Sequence, residues 1–179
     1  MTDPRRAAVP SEAADLIARL GLTPHPREGG WFAETYRSDE RVASAALPVR
    51  YGAERALGTA IYYLLTPATF SEMHRLASDE IFHFYLGDPA EMLLLGPDGS
   101  GAMVLLGPDL AAGMRPQVVV ARGIWQGARL REGGRFALLG TTVAPGFEYA
   151  DYESGARADL LAAYPSHAPL ITALTRATP

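Results

Sequence analysis

The chain has 179 residues, of which 48% are hydrophobic, and a formal net charge of -4, enough apolar material for one domain with a substantial core. All sixteen basic residues are arginine, and lysine, asparagine and cysteine are absent, which excludes Schiff-base and P-loop lysines, thiolate nucleophiles, thiolate metal ligands and N-glycosylation. The arginines are scattered, so no nucleic-acid footprint is expected. No run approaches the roughly 18 apolar residues of a membrane span, and no apolar core of the signal-peptide kind follows the first residues, so no membrane partner and a cytoplasmic location are expected.

In chain order, Pro10-Ser11 followed by Leu16, Ile17 and Leu20 and stopped by Gly21 predicts a short helix. From Gly30 onward, short β-branched and aromatic runs separated by turn residues predict an all-β sandwich or barrel. The predicted strands are Trp31–Arg37, Thr59–Leu65, Glu72–Leu76, Glu80–Leu86, Glu91–Leu95, Met103–Leu106, Gln117–Ala121, Ile124–Arg129, Arg135–Val143 and Phe147–Tyr149. Asp98-Gly99 and Glu132-Gly133-Gly134 are read as hairpin turns. Around Pro165, helical spacing from about Arg157 to Tyr164 and from about His167 to Thr175 predicts a short helical tail packed outside the barrel.

Chemistry-bearing residues concentrate between Ser71 and Gly87, which hold His74, His83, three carboxylates and Tyr85. On a regular strand Glu72 and His74 share one face. By the same alternation Glu80 facing the lumen takes Phe82 and Phe84 with it and turns His83 and Tyr85 to the other face; a bulge would break that parity. For His83 and Tyr85 a lumen role and a hydrogen-bonded surface or dimer-interface pair both stay open. In the first predicted strand, Phe32, Glu34 and Tyr36 alternate against Trp31, Ala33, Thr35 and Arg37, behind a Gly29-Gly30 turn. Glu34 and Arg37 read either as a charge pair on an edge strand or as pocket residues, the Arg fork suiting a ligand carboxylate or phosphate. His25, between Pro24 and Pro26, and His167, in the tail, are expected to be structural or exposed.

The segments 24–38, 74–89, 106–110, 116–126 and 142–153 resemble, in order and over nearly the whole chain, an uncharacterised, RmlC-like branch of the cupin superfamily. The resemblance implies a double-stranded β-helix, or jelly-roll barrel, over about residues 31–149 of a single cupin domain spanning 1–179, with a pocket at one mouth and a homodimeric assembly. The Glu72-x-His74 spacing and Glu80 followed after six intervening residues by Gly87 match the first cupin motif. The departures concern the metal. Metal-binding cupins carry His-x-His, a glutamate three or four residues on, and a third histidine from a later strand. Here Glu72 holds the first histidine position, five residues separate His74 from Glu80, and Gln126 stands where the third histidine belongs. An amide oxygen is a poorer donor to first-row metals than imidazole or carboxylate. No cofactor is therefore expected; a weakly held divalent ion on Glu72, His74 and Glu80 is the alternative.

His74, Glu80 and Gln126 then read as a convergent polar cluster in an apolar barrel, where desolvation brings acid–base groups toward useful range, or as satisfied core polars that tie strands together. The favoured function is a pocket for a small polar metabolite, of the metal-independent isomerase or epimerase kind acting on a sugar-derived or carbonyl substrate. Its catalytic residues are drawn from His74, His83 and Tyr85, with Glu34, Arg37, Glu80 and Gln126 binding ligand. Two alternatives remain: a non-catalytic binding protein and, more weakly supported, a metal-dependent oxygenase or lyase. Enzyme or binding module is a question these residues leave open.

Overall fold

The structure, a computed structural model, describes residues 9–176. Helix α1 (Ser11–Leu20) opens it and ends as its sequence predicts, with Gly21 in the left-handed conformation (φ 63°) returning its N–H to the Ile17 carbonyl. Strands β1 (Thr23–Pro24), β2 (Trp31–Arg37), β3 (Arg41–Val42), β4 (Arg55–Ala56) and β5 (Thr59–Leu65) follow. Then come β6 (Phe70–Leu76), β7 (Asp79–Gly87), β8 (Ala90–Leu95), β9 (Gly101–Leu106) and β10 (Gln117–Val120). The chain continues through β11 (Trp125–Leu130), β12 (Ala137–Ala144), β13 (Tyr152–Ser154), α2 (Arg157–Ala163) and α3 (Ala168–Ala173).

The strands form a six-stranded sheet in the order β1, β2, β5, β12, β7, β10 and a five-stranded sheet in the order β13, β6, β11, β8, β9, with β3 and β4 paired apart. From β5 to β8 each strand lies in the opposite sheet or beside a non-sequential neighbour, the jelly-roll winding of a double-stranded β-helix. Tyr63, Leu65, Phe82 and Leu139 from the larger sheet meet Met92, Ala128 and Leu130 from the smaller to make the main core. Both outer faces are partly roofed. Helix α1 lays Ala13 with Leu16 and Ile17 over Leu64 and Leu138, and the tail packs Leu160, Ile171 and Leu174 against Met73, Leu93 and Leu95. Among the described residues no helix is long and apolar enough to cross a membrane.

Two local expectations are corrected. Glu132-Gly133-Gly134 is not a hairpin turn, because it joins β11 to β12 and those strands belong to different sheets; Asp98-Gly99 does close the β8–β9 hairpin. Phe147–Tyr149 is not a strand. The Phe147 N–H is taken by the Thr59 hydroxyl at 3.0 Å, and Tyr149–Asp151 forms a 3₁₀ turn before the short β13. That turn is clamped by a buried ion pair, Arg55 to Asp151, with Nη2–Oδ1 at 2.6 Å and Nε–Oδ2 at 2.8 Å.

Candidate functional site in the barrel mouth

Two β-bulges position the site. Along β6 and β11, His74 pairs with Gln126 and Ser71 with Ala128, so β6 carries one residue more than its partner across that interval. The bulge breaks the alternation that would have put Glu72 beside His74. The Glu72 carboxylate instead accepts hydrogen bonds from the Tyr152 and Ser154 hydroxyls, at 3.0 and 2.8 Å, and lies 3.3 Å from Arg176. Along β2 and β5 a second extra residue falls between Glu34 and Tyr36, which brings Glu34 and Arg37 to one face and leaves Tyr36 exposed. Regular alternation would have separated them.

The floor of the mouth is a buried polar triad. Gln126 on the small sheet donates to Glu80 Oε2 on the large sheet at 2.6 Å, tying the two sheets together, and its Nε2 lies 3.3 Å from His74 Nε2. His74 Nδ1 is 2.7 Å from the Glu72 carbonyl, an acceptor, so that nitrogen carries a proton. The ring stacks on Tyr152 at 4.8 Å between centroids. Burial opposes a charge on His74, yet Glu28 and Glu80 beside it, with the Glu72 carbonyl, outweigh that penalty and raise its pKa from 6.5 to about 9. Protonating Nε2 forfeits the contact with the Gln126 amide. Nearby carboxylates are worth more than one neutral hydrogen bond.

His25 and Glu28 belong to the same site, and sequence reasoning missed both. The Gly29-Gly30 turn, with φ of 101° and 67°, folds this segment back over the barrel. It is held there by the Tyr63 hydroxyl on the Gly29 carbonyl at 2.8 Å and the Glu72 N–H on the Glu28 carbonyl at 2.9 Å. The Ser71 hydroxyl donates to the Glu28 carboxylate. His25 Nδ1 accepts the Glu28 N–H at 2.8 Å, and burial lowers the ring's pKa. The ring is thus neutral near pH 7, with its proton on Nε2, where it is a donor. His25 was expected to be structural because two prolines flank it; a His and a Glu three apart before Gly-Gly were the available signal.

These residues enclose a cavity of about 300 Å³, at the small end for ligand sites, whose wall includes His25, Glu28, Phe32, Glu34, Arg37, His74, Glu80, Phe147, Glu148, Tyr149 and Tyr152. The structure thus brings together His74, Glu80, Glu34 and Arg37, with Gln126 bonded from behind. Arg37 is not free to grip a ligand anion. Its Nε and Nη2 hold Glu34 at 3.1 and 2.8 Å, and its Nη1 holds Glu148 at 2.9 Å.

His83 and Tyr85 are not part of this cavity. Phe82 is in the core, so alternation sends His83 and Tyr85 outward: His83 bonds the Thr142 hydroxyl at 3.1 Å, and Tyr85 packs edge-on against Tyr62 and is half exposed. A catalytic role for either beside His74 does not follow from this geometry. The site also does not fit the metal that other cupins hold. Among the described residues no three His, Asp or Glu side chains converge as ligands, Glu72 is turned away, and the Gln126 amide occupies the approach between His74 and Glu80.

A jelly-roll barrel with a polar cluster at one mouth defines the cupin class of folds. The chain belongs to the family described as Cupin superfamily (DUF985), Cupin_5, which matches residues 14–155. It is 32% identical over 153 residues to the uncharacterized protein YML079W of Saccharomyces cerevisiae, covering 80% of this chain and 75% of that one. Among solved structures it is similar to protein SO0799 from Shewanella oneidensis (37% identity, TM-score 0.80, 93% of this chain and 98% of that one). A hypothetical protein from Leishmania major is also similar (32% identity, TM-score 0.82, 92% and 99%). Oxalate decarboxylase of Bacillus subtilis, at 15% identity and a TM-score of 0.50, shares the fold alone.

Proposed function

We propose that the barrel mouth binds a small polar metabolite and that His74 and Glu80 move a proton on it, as in a metal-independent isomerase or epimerase acting on a carbonyl or sugar-derived substrate. One observation carries this reading: an imidazole and a carboxylate, 4.0 Å apart and almost wholly buried, sit at the floor of an open cavity. Burying two ionisable groups costs several kcal/mol in desolvation. A fold needing only a cross-sheet tie has cheaper apolar solutions.

In this mechanism the Glu80 carboxylate takes a proton from carbon beside the substrate carbonyl. The C–H electron pair moves into the enol, and the His74 imidazolium hydrogen-bonds the developing oxyanion. Return of the proton to the other face or the neighbouring carbon completes the isomerisation. His25 Nε2–H is a second donor at the same wall.

A non-catalytic reading has its own support, since both His74 ring nitrogens already have protein neighbours. Incubating the protein in D₂O with a panel of aldoses, ketoses and keto acids and following C–H signals by NMR tests the proposal. Wild-type-dependent exchange lost in Glu80→Gln supports catalysis. Binding with no exchange of any panel member favours the non-catalytic reading. In binding alone His74→Ala costs about 1–3 kcal/mol, and in rate considerably more if the residue acts in the transition state.

A further inference from the structure

The cavity wall holds more acceptors and more negative charge than it can satisfy from within. Four carboxylates line it, Glu28, Glu34, Glu80 and Glu148, against one guanidinium, Arg37. Arg37 already joins Glu34 and Glu148, two acids on one cation, at the rim. At the floor, protonated His74 stands between Glu28 and Glu80, again one cation for two acids. His25 adds no charge, because burial keeps it neutral. What the wall lacks is positive charge.

Beside aliphatic and threonine side chains, the rest of the wall carries several aromatic rings. His25 meets Phe32 edge-on at 4.7 Å, Phe147 meets Tyr149 edge-on at 5.2 Å, and Tyr149 already carries the Arg27 guanidinium over its face at 5.2 Å. π faces beside carboxylates attract cations and disfavour anions, most strongly at the buried floor, where water screens that preference poorly.

We propose that the ligand of this cavity carries an ammonium group, so that the substrate class is an amine, such as an amino sugar or amino alcohol, and not a sugar acid or phosphate. This rests on the reading of the cavity as a ligand site. An ammonium brings three donors and no acceptor, the inverse of the wall. The amine is held toward Glu28 and Glu80 or toward Glu34 and Glu148, with its carbon frame against Phe32 and Phe147.

The test is calorimetric titration of the full chain with matched probes: glucosamine, glucose and glucuronate, then ethanolamine and its uncharged isostere propan-1-ol. The amine of at least one set should bind roughly tenfold or more tightly than its neutral partner, with glucuronate weakest and the preference falling as salt is raised. Glu28→Gln and, at the rim, Glu148→Gln should each reduce the preference; if Glu28→Gln fails to fold, Glu148→Gln with the salt series decides. A neutral or acidic partner that binds as tightly as the amine in both sets overturns the amine inference and leaves the ligand-site reading standing. A panel in which no amine binds also overturns it, while a different small molecule found bound to the purified protein by native mass spectrometry would still support the pocket.

Discussion

The charge on His74 can be read directly from stability against pH. Its pKa is raised from 6.5 to about 9 in the fold, so the native chain holds a proton that the unfolded chain releases. The resulting stabilisation is fully present below the unfolded value and disappears as pH rises through the folded one. At about 1.36 kcal/mol per unit it amounts to roughly 3 kcal/mol, a large part of an ordinary domain's stability. The window between pH 6.5 and about 9.5 is unusually clean, because the chain has no cysteine and no lysine to titrate there. His25, with a lowered pKa, acts in the opposite sense and at lower pH, where stability is lost as the unfolded ring gains a proton first. Buried Tyr63 and Tyr152 are held above 10.0, outside the window. Urea unfolding followed by Trp31 and Trp125 fluorescence, for wild type and His74→Gln, isolates the term. The advantage of wild type over the variant should shrink by about 3 kcal/mol between pH 6.5 and 9.5. Parallel pH profiles would refute the argument and make His74 a neutral acceptor of the Gln126 amide.

The Arg55–Asp151 pair carries the turn that leads from Tyr149 to Tyr152 at the cavity, and both side chains are almost wholly buried. Asp151→Ala, which strands the guanidinium, should cost about 3–5 kcal/mol in urea unfolding; a loss below 1 kcal/mol would mean that solvent reaches the arginine. Elemental analysis should find substoichiometric divalent metal both in wild type and in His74→Ala. Gln126→His, by supplying a third imidazole, should raise affinity for Zn²⁺ in equilibrium dialysis, and an equimolar ion in wild type that vanishes in His74→Ala would restore Glu72, His74 and Glu80 as ligands. The protein is expected to be a homodimer. The outer face of the large sheet, with Tyr85 and Val119 exposed and Tyr62 at the edge of the α1 cluster beside Tyr85, offers an apolar surface for a second copy. Light scattering that gives the monomer mass at micromolar concentration would reject this.

Much of the architecture is legible in the residues themselves. Period-two runs punctuated by glycine, proline and aspartate mark most of the strands, Gly21 marks the end of α1, and the order of matching segments points to a cupin barrel. The substitution of Gln126 for an imidazole is likewise a fact of sequence, and with it the weakness of the metal reading. What tertiary structure alone decided is which side chains meet. Alternation places Glu72 with His74 and parts Glu34 from Arg37, and both inferences fail for one reason. A bulge is a mismatch of register between two strands, so nothing in either strand's own residues announces it. On β7 alternation holds through Phe84 and turns His83 outward, and the bulge there falls at Tyr85 itself, which stacks beside His83 on the outside. His25 and Glu28 reach the site by a turn whose docking depends on Tyr63, Ser71 and Glu72, some 34–44 positions further on. The acid–base character of the mouth arises in the same way. His74 is held charged by Glu28, from a turn far back in the chain, and by Glu80, from the opposite sheet, a Coulombic neighbourhood that exists only once the chain has closed into a barrel.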